Sequence, residues 1–212
     1  IRDNLYANKI VEFARGILDG SSKAGVPFGE GLTPLGAGLS ASSLCERAGD
    51  APESSDWEKM LGASSEYFWI SAVSLYGWSR SRGFINVLKE KCAAGCKIRV
   101  LLMHPENPAL SSYLLGSAST LDQLVAEIRL AGEVLRRGAQ SPNLELRSMK
   151  TAPHVQLTLN EKTGVAYPYL QSKQRRDGPL LRANAGGLLH QTLRDEFDFL
   201  WRGAVPPEPP KA

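Results

Sequence analysis

Cysteine is scarce in this chain: Cys45, Cys92 and Cys96 are the only ones in 212 residues. Three are too few for a disulfide scaffold, and no CxxC pair with a matching downstream pair provides a structural zinc site. A reduced, cytoplasmic setting is therefore expected; separately, no metal or other cofactor is expected. Long hydrophobic runs are also missing. The apolar stretches are short and interrupted, as in Tyr67-Phe68-Trp69-Ile70, whereas a membrane helix needs roughly 20 consecutive apolar residues. No transmembrane segment is expected. Charge of one sign is nearly balanced, 25 Lys and Arg against 22 Asp and Glu, so the net charge alone argues for neither nucleic acid nor an anionic membrane. Any such partner has to be argued from local clusters. Residues 1–20 lack the charged start and cleavage pattern of a signal peptide. With Ile1 in place of an initiating Met, they suggest a segment of a longer chain.

Phosphate-cradling loops and nucleophile elbows are absent too. Gly29-Glu30-Gly31 and Gly36-Ala37-Gly38 have no preceding strand and no following helix, so they make poor dinucleotide fingerprints, and there is no Walker loop. Ser42-Ser43 and Ser64-Ser65 lack the strand-turn-helix context of a hydrolase serine. What is present is ordinary globular composition, 42% hydrophobic and 22% charged, which suffices for a sizeable core.

Periodicity divides the chain into four parts. Residues 1–20 carry Leu5, Ile10, Phe13, Ala14, Ile17 and Leu18 at helical spacing and predict an amphipathic helix. Residues 21–55 shift to Gly, Ser, Pro and Ala and read as a long loop or an irregular packed arm. Residues 56–203 alternate strand and helix signals. Asp56 is a plausible N-cap for a short helix through Trp57, Met60 and Leu61. Residues 67–75 predict a strand buried on both faces, residues 82–94 a helix stopped by Gly95, and residues 97–103 a second strand. That is a βαβ unit with parallel strands. A helix over 120–137, a strand over 144–149, a hairpin of 154–160 with 164–170, and a helix over 188–201 complete it. The expected fold is α/β, a mixed, mainly parallel sheet with helices on both faces. Residues 204–212 are Pro-rich and predict a disordered tail.

Three histidines are available for chemistry. His104 follows the second strand, at the carboxyl end where open α/β sheets place ligands. His190 lies among leucines of the last helix and reads as a local hydrogen-bonding residue. His154 opens an alternating run, so His154, Gln156, Thr158 and Asn160 share one face of a strand while Val155, Leu157 and Leu159 enter the core. The same alternation fits a half-buried strand with a wet outer side.

The order of elements and the segment from His154 together resemble the phospholipase D-like superfamily of phosphodiesterases over residues 56–203. The family's motif, His-x-Lys and, after four further residues, Asp, falls on His154, Gln156 and Glu161, with Gln in place of Lys and Glu in place of Asp. The resemblance implies one half of the phospholipase D-like fold and chemistry without a metal. One imidazole attacks phosphorus, a second from another copy of the motif protonates the leaving oxygen, and the acidic residue holds a His in the useful tautomer. His154 and Glu161 are the catalytic candidates. A homodimer pairing two His154 rings is the simplest arrangement that completes the site. Gln156 donates hydrogen bonds but no charge, which weakens turnover more than binding.

Positive charge follows the hairpin in Lys173-Gln174-Arg175-Arg176-Asp177-Gly178, with Arg147, Lys150 and Lys162 close in sequence. Gln156, Asn160, His104, Arg175 and Arg176 are thus the ligand-binding candidates, and Trp69, Tyr76 and Trp78 are candidates for stacking a base. The expected function is a degenerate phospholipase D-like sensor or effector module of a larger bacterial protein. It binds a phosphodiester ligand, a nucleotide or nucleic acid before a lipid. The alternatives are a metal-independent phosphodiesterase active as a homodimer through His154, and a protein-interaction module assembled through the helix at 1–20.

Overall fold

The computed structural model describes residues 54–114, 119–169 and 180–207, all within the compact unit Leu39–Ala212. The expected helix at 1–20, residues 21–53, the basic stretch 173–178 and the tail beyond Pro207 lie outside the described residues. In chain order the described elements are α1 (Ser54–Gly62), β1 (Tyr67–Ala72), α2 (Tyr76–Ser79), α3 (Arg82–Ala93), β2 (Lys97–Met103), a 3₁₀ segment (Pro108–Leu114) and α4 (Leu121–Ala139). They continue with β3 (Leu144–Met149), β4 (Val155–Asn160), β5 (Thr163–Pro168), β6 (Leu181–Asn184) and α5 (Leu188–Gly203).

The strands form one six-stranded sheet in the order β3-β2-β1-β4-β5-β6. β1 pairs in parallel with β2, and β2 with β3, while β4, β5 and β6 add successively antiparallel. β1, β2, β3 and β5 therefore point one way and β4 and β6 the other. This is the mixed α/β sheet that the alternating strand and helix signals predict.

Alternation along the central strands builds a core on each face. Phe68, Ile70 and Ala72 of β1, with Ile98, Val100 and Leu102 of β2, pack under Phe84, Leu88 and Cys92 of α3 and under Leu124, Ile128, Ala131 and Leu135 of α4. The other face gathers Trp69, Leu101, Leu157, Leu159 and Ala166 beneath Leu193, Phe197, Leu200 and Trp201 of α5. Each Val, Leu, Ile or Phe among them contributes about 1.5–3 kcal/mol when fully buried. β1 is covered on both sides, which is why it reads as a continuous apolar run and not as an alternating one. A smaller cluster of Trp57, Val165, Tyr167 and Leu180 closes the flank.

The caps explain the boundaries. Ser81 Oγ accepts from Phe84 N at the start of α3, and Gly95 (φ 90°) turns the chain out of it. Thr120 and Gln123 form a capping box for α4, which ends at Gln140 in the left-handed region (φ 40°). Several boundaries differ from expectation. α1 starts at Ser54, so Asp56 sits in its first turn, 3.3 Å from Lys59, and is not the cap. The first strand stops at Ala72 because the chain turns into α2. β6 and the 3₁₀ segment carry no periodic signal in the sequence.

Candidate functional site

The carboxyl ends of β1, β2 and β3 meet the start of β4 at one end of the sheet, and three side chains lock that end together. Tyr113 Oη donates to Pro153 O at 2.6 Å, Tyr169 Oη accepts from Val73 N at 3.1 Å, and the two rings meet edge to face at 5.1 Å. Asn107 Nδ2 donates to Lys150 O at 2.7 Å. The backbone of His154 is held as well, since its carbonyl accepts from Tyr169 N at 2.9 Å. The expectation of a strand beginning at His154 is corrected by one residue: His154 is a bend before Val155.

On that fixed backbone the His154 ring is exposed and has no hydrogen-bonding or ionic partner among the described residues. Gln156, two residues on, is half-buried, and its amide is likewise unengaged among them. Further along the same face the chemistry changes. Thr158 and Asn160 are buried, because α1 lies over the end of β4 where the sequence pattern suggested solvent. Asn160 Nδ2 donates to Met60 O and Ser64 Oγ at 3.1 and 3.2 Å, while its Oδ1 accepts from Lys162 N and Thr163 N at 3.0 and 2.8 Å. All four hydrogen-bonding positions of the amide are filled by protein. Asn160, expected to face a ligand, instead ties α1 to the β4–β5 turn.

Glu161 belongs to the same knot. One carboxylate oxygen accepts from Ser65 N and Ser65 Oγ, both at 2.8 Å, and the other from Glu66 N at 3.4 Å. Burial pushes its pKa up, but these bonds and one from its own backbone outweigh that and hold the carboxyl below its ordinary value. From His154 to Glu161 the chain is extended, so the two lie on the order of 20 Å apart at about 3.3 Å per residue. The structure does not bring the two catalytic candidates together.

The other candidates are dispersed. His104 is half-buried in its turn. Its backbone N–H donates to Met149 O at 2.8 Å and its Nδ1 accepts from Glu106 N at 3.2 Å, an arrangement that sets the ring's tautomer. With β1 between them, His104 and His154 are about 10 Å apart by strand spacing. Arg175 and Arg176 lie outside the described residues. Arg147, Lys150 and Lys162, close in sequence, do not converge. Arg147 sits 4.4 Å from the Trp201 ring centroid on the α5 face, Lys162 Nζ donates to Ala63 O in the β4–β5 turn, and Lys150 follows β3. Trp78, half-buried, packs between Trp57 and Phe84 against the core, and Trp69 is buried in it against Phe197. His190 Nε2 donates to Asn160 O at 3.1 Å, joining α5 to β4. Burial raises Cys92 and pushes Cys96 up to about 11, so both thiols stay protonated at neutral pH. Among the described residues no group of three or more His, Cys, Asp or Glu converges as a metal site, and no helix is long and apolar enough to cross a membrane. Tyr113 and Tyr169, which fix the site's backbone, carry no mark in the sequence because isolated tyrosines have no spacing signal.

Known proteins resemble the chain in structure rather than in sequence. No family model and no curated protein matches the sequence. Among solved structures the chain is similar to TrmBL2, an archaeal chromatin protein with a novel mode of DNA binding, at 13% identity and a TM-score of 0.47. That likeness covers 96% of this chain and 64% of the chromatin protein. Nuc from Salmonella typhimurium, a phospholipase D family member, is similar at 11% identity and a TM-score of 0.46, over 74% of this chain and 93% of Nuc. NucT from Helicobacter pylori is similar at 10% identity and a TM-score of 0.45, over 77% and 97%.

Proposed function

We propose that this chain is a phospholipase D-like domain that binds a phosphodiester group, of a nucleotide or a nucleic acid, at the carboxyl end of β1 without turning it over. The observation that carries the reading is the pair formed by the exposed His154 ring and the unengaged Gln156 amide on a fixed backbone. Both can donate hydrogen bonds to phosphate oxygens. Hydrolysis of the kind the resemblance implies asks for more: a second imidazole within reach and a cation on the transferring oxygens. His104 is strands away and bound into its turn, and Gln156 supplies no charge. Losing one such stabilising group costs about 2.7–4 kcal/mol at the transition state.

The test is fluorescence anisotropy with a fluorescein-labelled oligonucleotide, alongside release of 4-nitrophenolate from bis(4-nitrophenyl) phosphate with and without EDTA. Wild-type protein should bind and release no product. His154→Ala should weaken binding roughly two- to tenfold, the range of one hydrogen bond. EDTA-insensitive turnover that disappears in His154→Ala would replace this reading with the enzymatic one. The exposure of His154 favours that second reading to one extent: an uncovered ring is free to meet the same ring of a second copy. Sedimentation equilibrium would then have to give a dimer.

A further inference from the structure

A cleft of about 270 Å³ opens where α2 passes into α3, lined by Ser79, Arg80, Ser81, Arg82, Ile85, Asn86 and Lys89. Its volume equals roughly nine waters at about 30 Å³ each, enough for a phosphate and part of its sugar. Arg82, Asn86 and Lys89 stand at helical i, i+4 and i+7 positions and so share one side of α3. Arg80 enters from the preceding turn, its guanidinium 5.4 Å from the centroid of the Tyr76 ring, an approach that limits the side chain's freedom.

None of the three cations has a carboxylate partner among the described residues. The carboxylate of Glu58 accepts from Ser81 Oγ at 2.5 Å and packs beside Gly83. Ser81 Oγ in turn accepts from Phe84 N at 3.2 Å. The end of α3 is thus already capped by protein, and the positive character of the cleft comes from side chains. Three exposed cations without a salt-bridge partner among the described residues, gathered around one concavity, are an electrostatic footprint for a polyanion. No large exposed hydrophobic residue lies in the cleft to enter a lipid surface, which favours a nucleic-acid strand over a membrane.

We infer that this cleft holds a backbone phosphate of a nucleic-acid strand, through Arg80, Arg82 and Lys89, as a second point of attachment beyond the His154 end. The inference rests on the phosphodiester-binding reading above and names its ligand class. Arg82 and Lys89 are exposed and unpaired, so Arg82→Ala/Lys89→Ala should fold as the wild type does, which its melting temperature will verify. Binding of the full chain to a fluorescein-labelled single-stranded oligonucleotide is followed by anisotropy across a salt series. The double variant should bind roughly tenfold more weakly. Its plot of log affinity against log salt should be shallower by about 0.7 for each phosphate that the variant no longer neutralises.

Unchanged affinity and slope in the double variant, with binding still weakened by His154→Ala, would overturn the cleft and leave the His154 site standing. The reverse pattern, sensitivity to Arg82→Ala/Lys89→Ala alone, would support the cleft and remove His154 from the ligand. Binding to phosphatidylserine vesicles with none to the oligonucleotide would overturn the inference in favour of a membrane.

Discussion

Glu161 shows how a single residue that matches a motif by position can be spent on structure. Its carboxylate accepts three hydrogen bonds from the Ser65–Glu66 turn, and only 13% of its side chain is exposed. Bonds to a charged acceptor contribute about 1.5–3 kcal/mol each before the cost of burial is subtracted. Glu161→Gln should therefore lower stability in urea at pH 7 by about 1–3 kcal/mol. Because the folded carboxyl titrates below its ordinary value, the stabilisation is complete above the unfolded pKa and is lost as pH falls through the folded one. The gap between wild type and Glu161→Gln should accordingly close in denaturation curves taken at successively lower pH, and a gap that widens on acidification would contradict the assignment. In the sequence alone, Glu161 fits a motif acid and a turn residue equally well. Only the Ser65–Glu66 amides, nearly a hundred residues earlier, separate the two roles.

The environment of β4 changes along its length. Its first residues face the carboxyl end of the sheet, where His154 and Gln156 are accessible, and its last are sealed under α1. Period-two alternation identifies the polar face correctly but does not say where along it the cover begins, because that depends on α1. The neighbouring strand β5 has a constraint of its own. A Cβ on Gly164 would come within 2.7 Å of Leu159 Cδ2 and 3.3 Å of both His190 Cδ2 and Leu193 Cδ1, so α5 crosses this strand at backbone distance. Gly164→Ala should cost about 1–3 kcal/mol through overpacking, seen as a lower urea midpoint with an unchanged slope. It should also perturb the His190 bond to Asn160 O, which a shift of the His190 ring resonances would reveal.

At the scale of the whole molecule, one helix among the described residues, α5, packs on the second face of the sheet. Trp201 stacks on Phe197 at 5.9 Å, with Arg99 and Arg147 over its ring at 5.0 and 4.4 Å, and the chain just beyond it pairs Val205 with Ser148 on the edge strand β3. Trp201→Ala should cost about 3–5 kcal/mol and release that pairing, so the Ser148 amide, which donates to Val205 O at 2.7 Å, should lose much of its protection from hydrogen exchange. Retained protection in a destabilised variant would mean that the edge bridge stands without the tryptophan. Element type and order are legible in the sequence because buried strands and amphipathic helices leave periodic patterns, and these fix an α/β sheet with helices on both faces. Composition likewise determines a core large enough to fold and a charge too balanced to name a partner. The tertiary structure decides which polar groups remain free. Asn160 and Glu161 are consumed in joining α1 to the β4–β5 turn, Arg147 and Lys162 point to different parts of the molecule, and Arg80, Arg82 and Lys89 gather around one cleft. Hydrogen bonds and charge neutralisation depend on groups distant in the chain, and a local sequence pattern does not contain them.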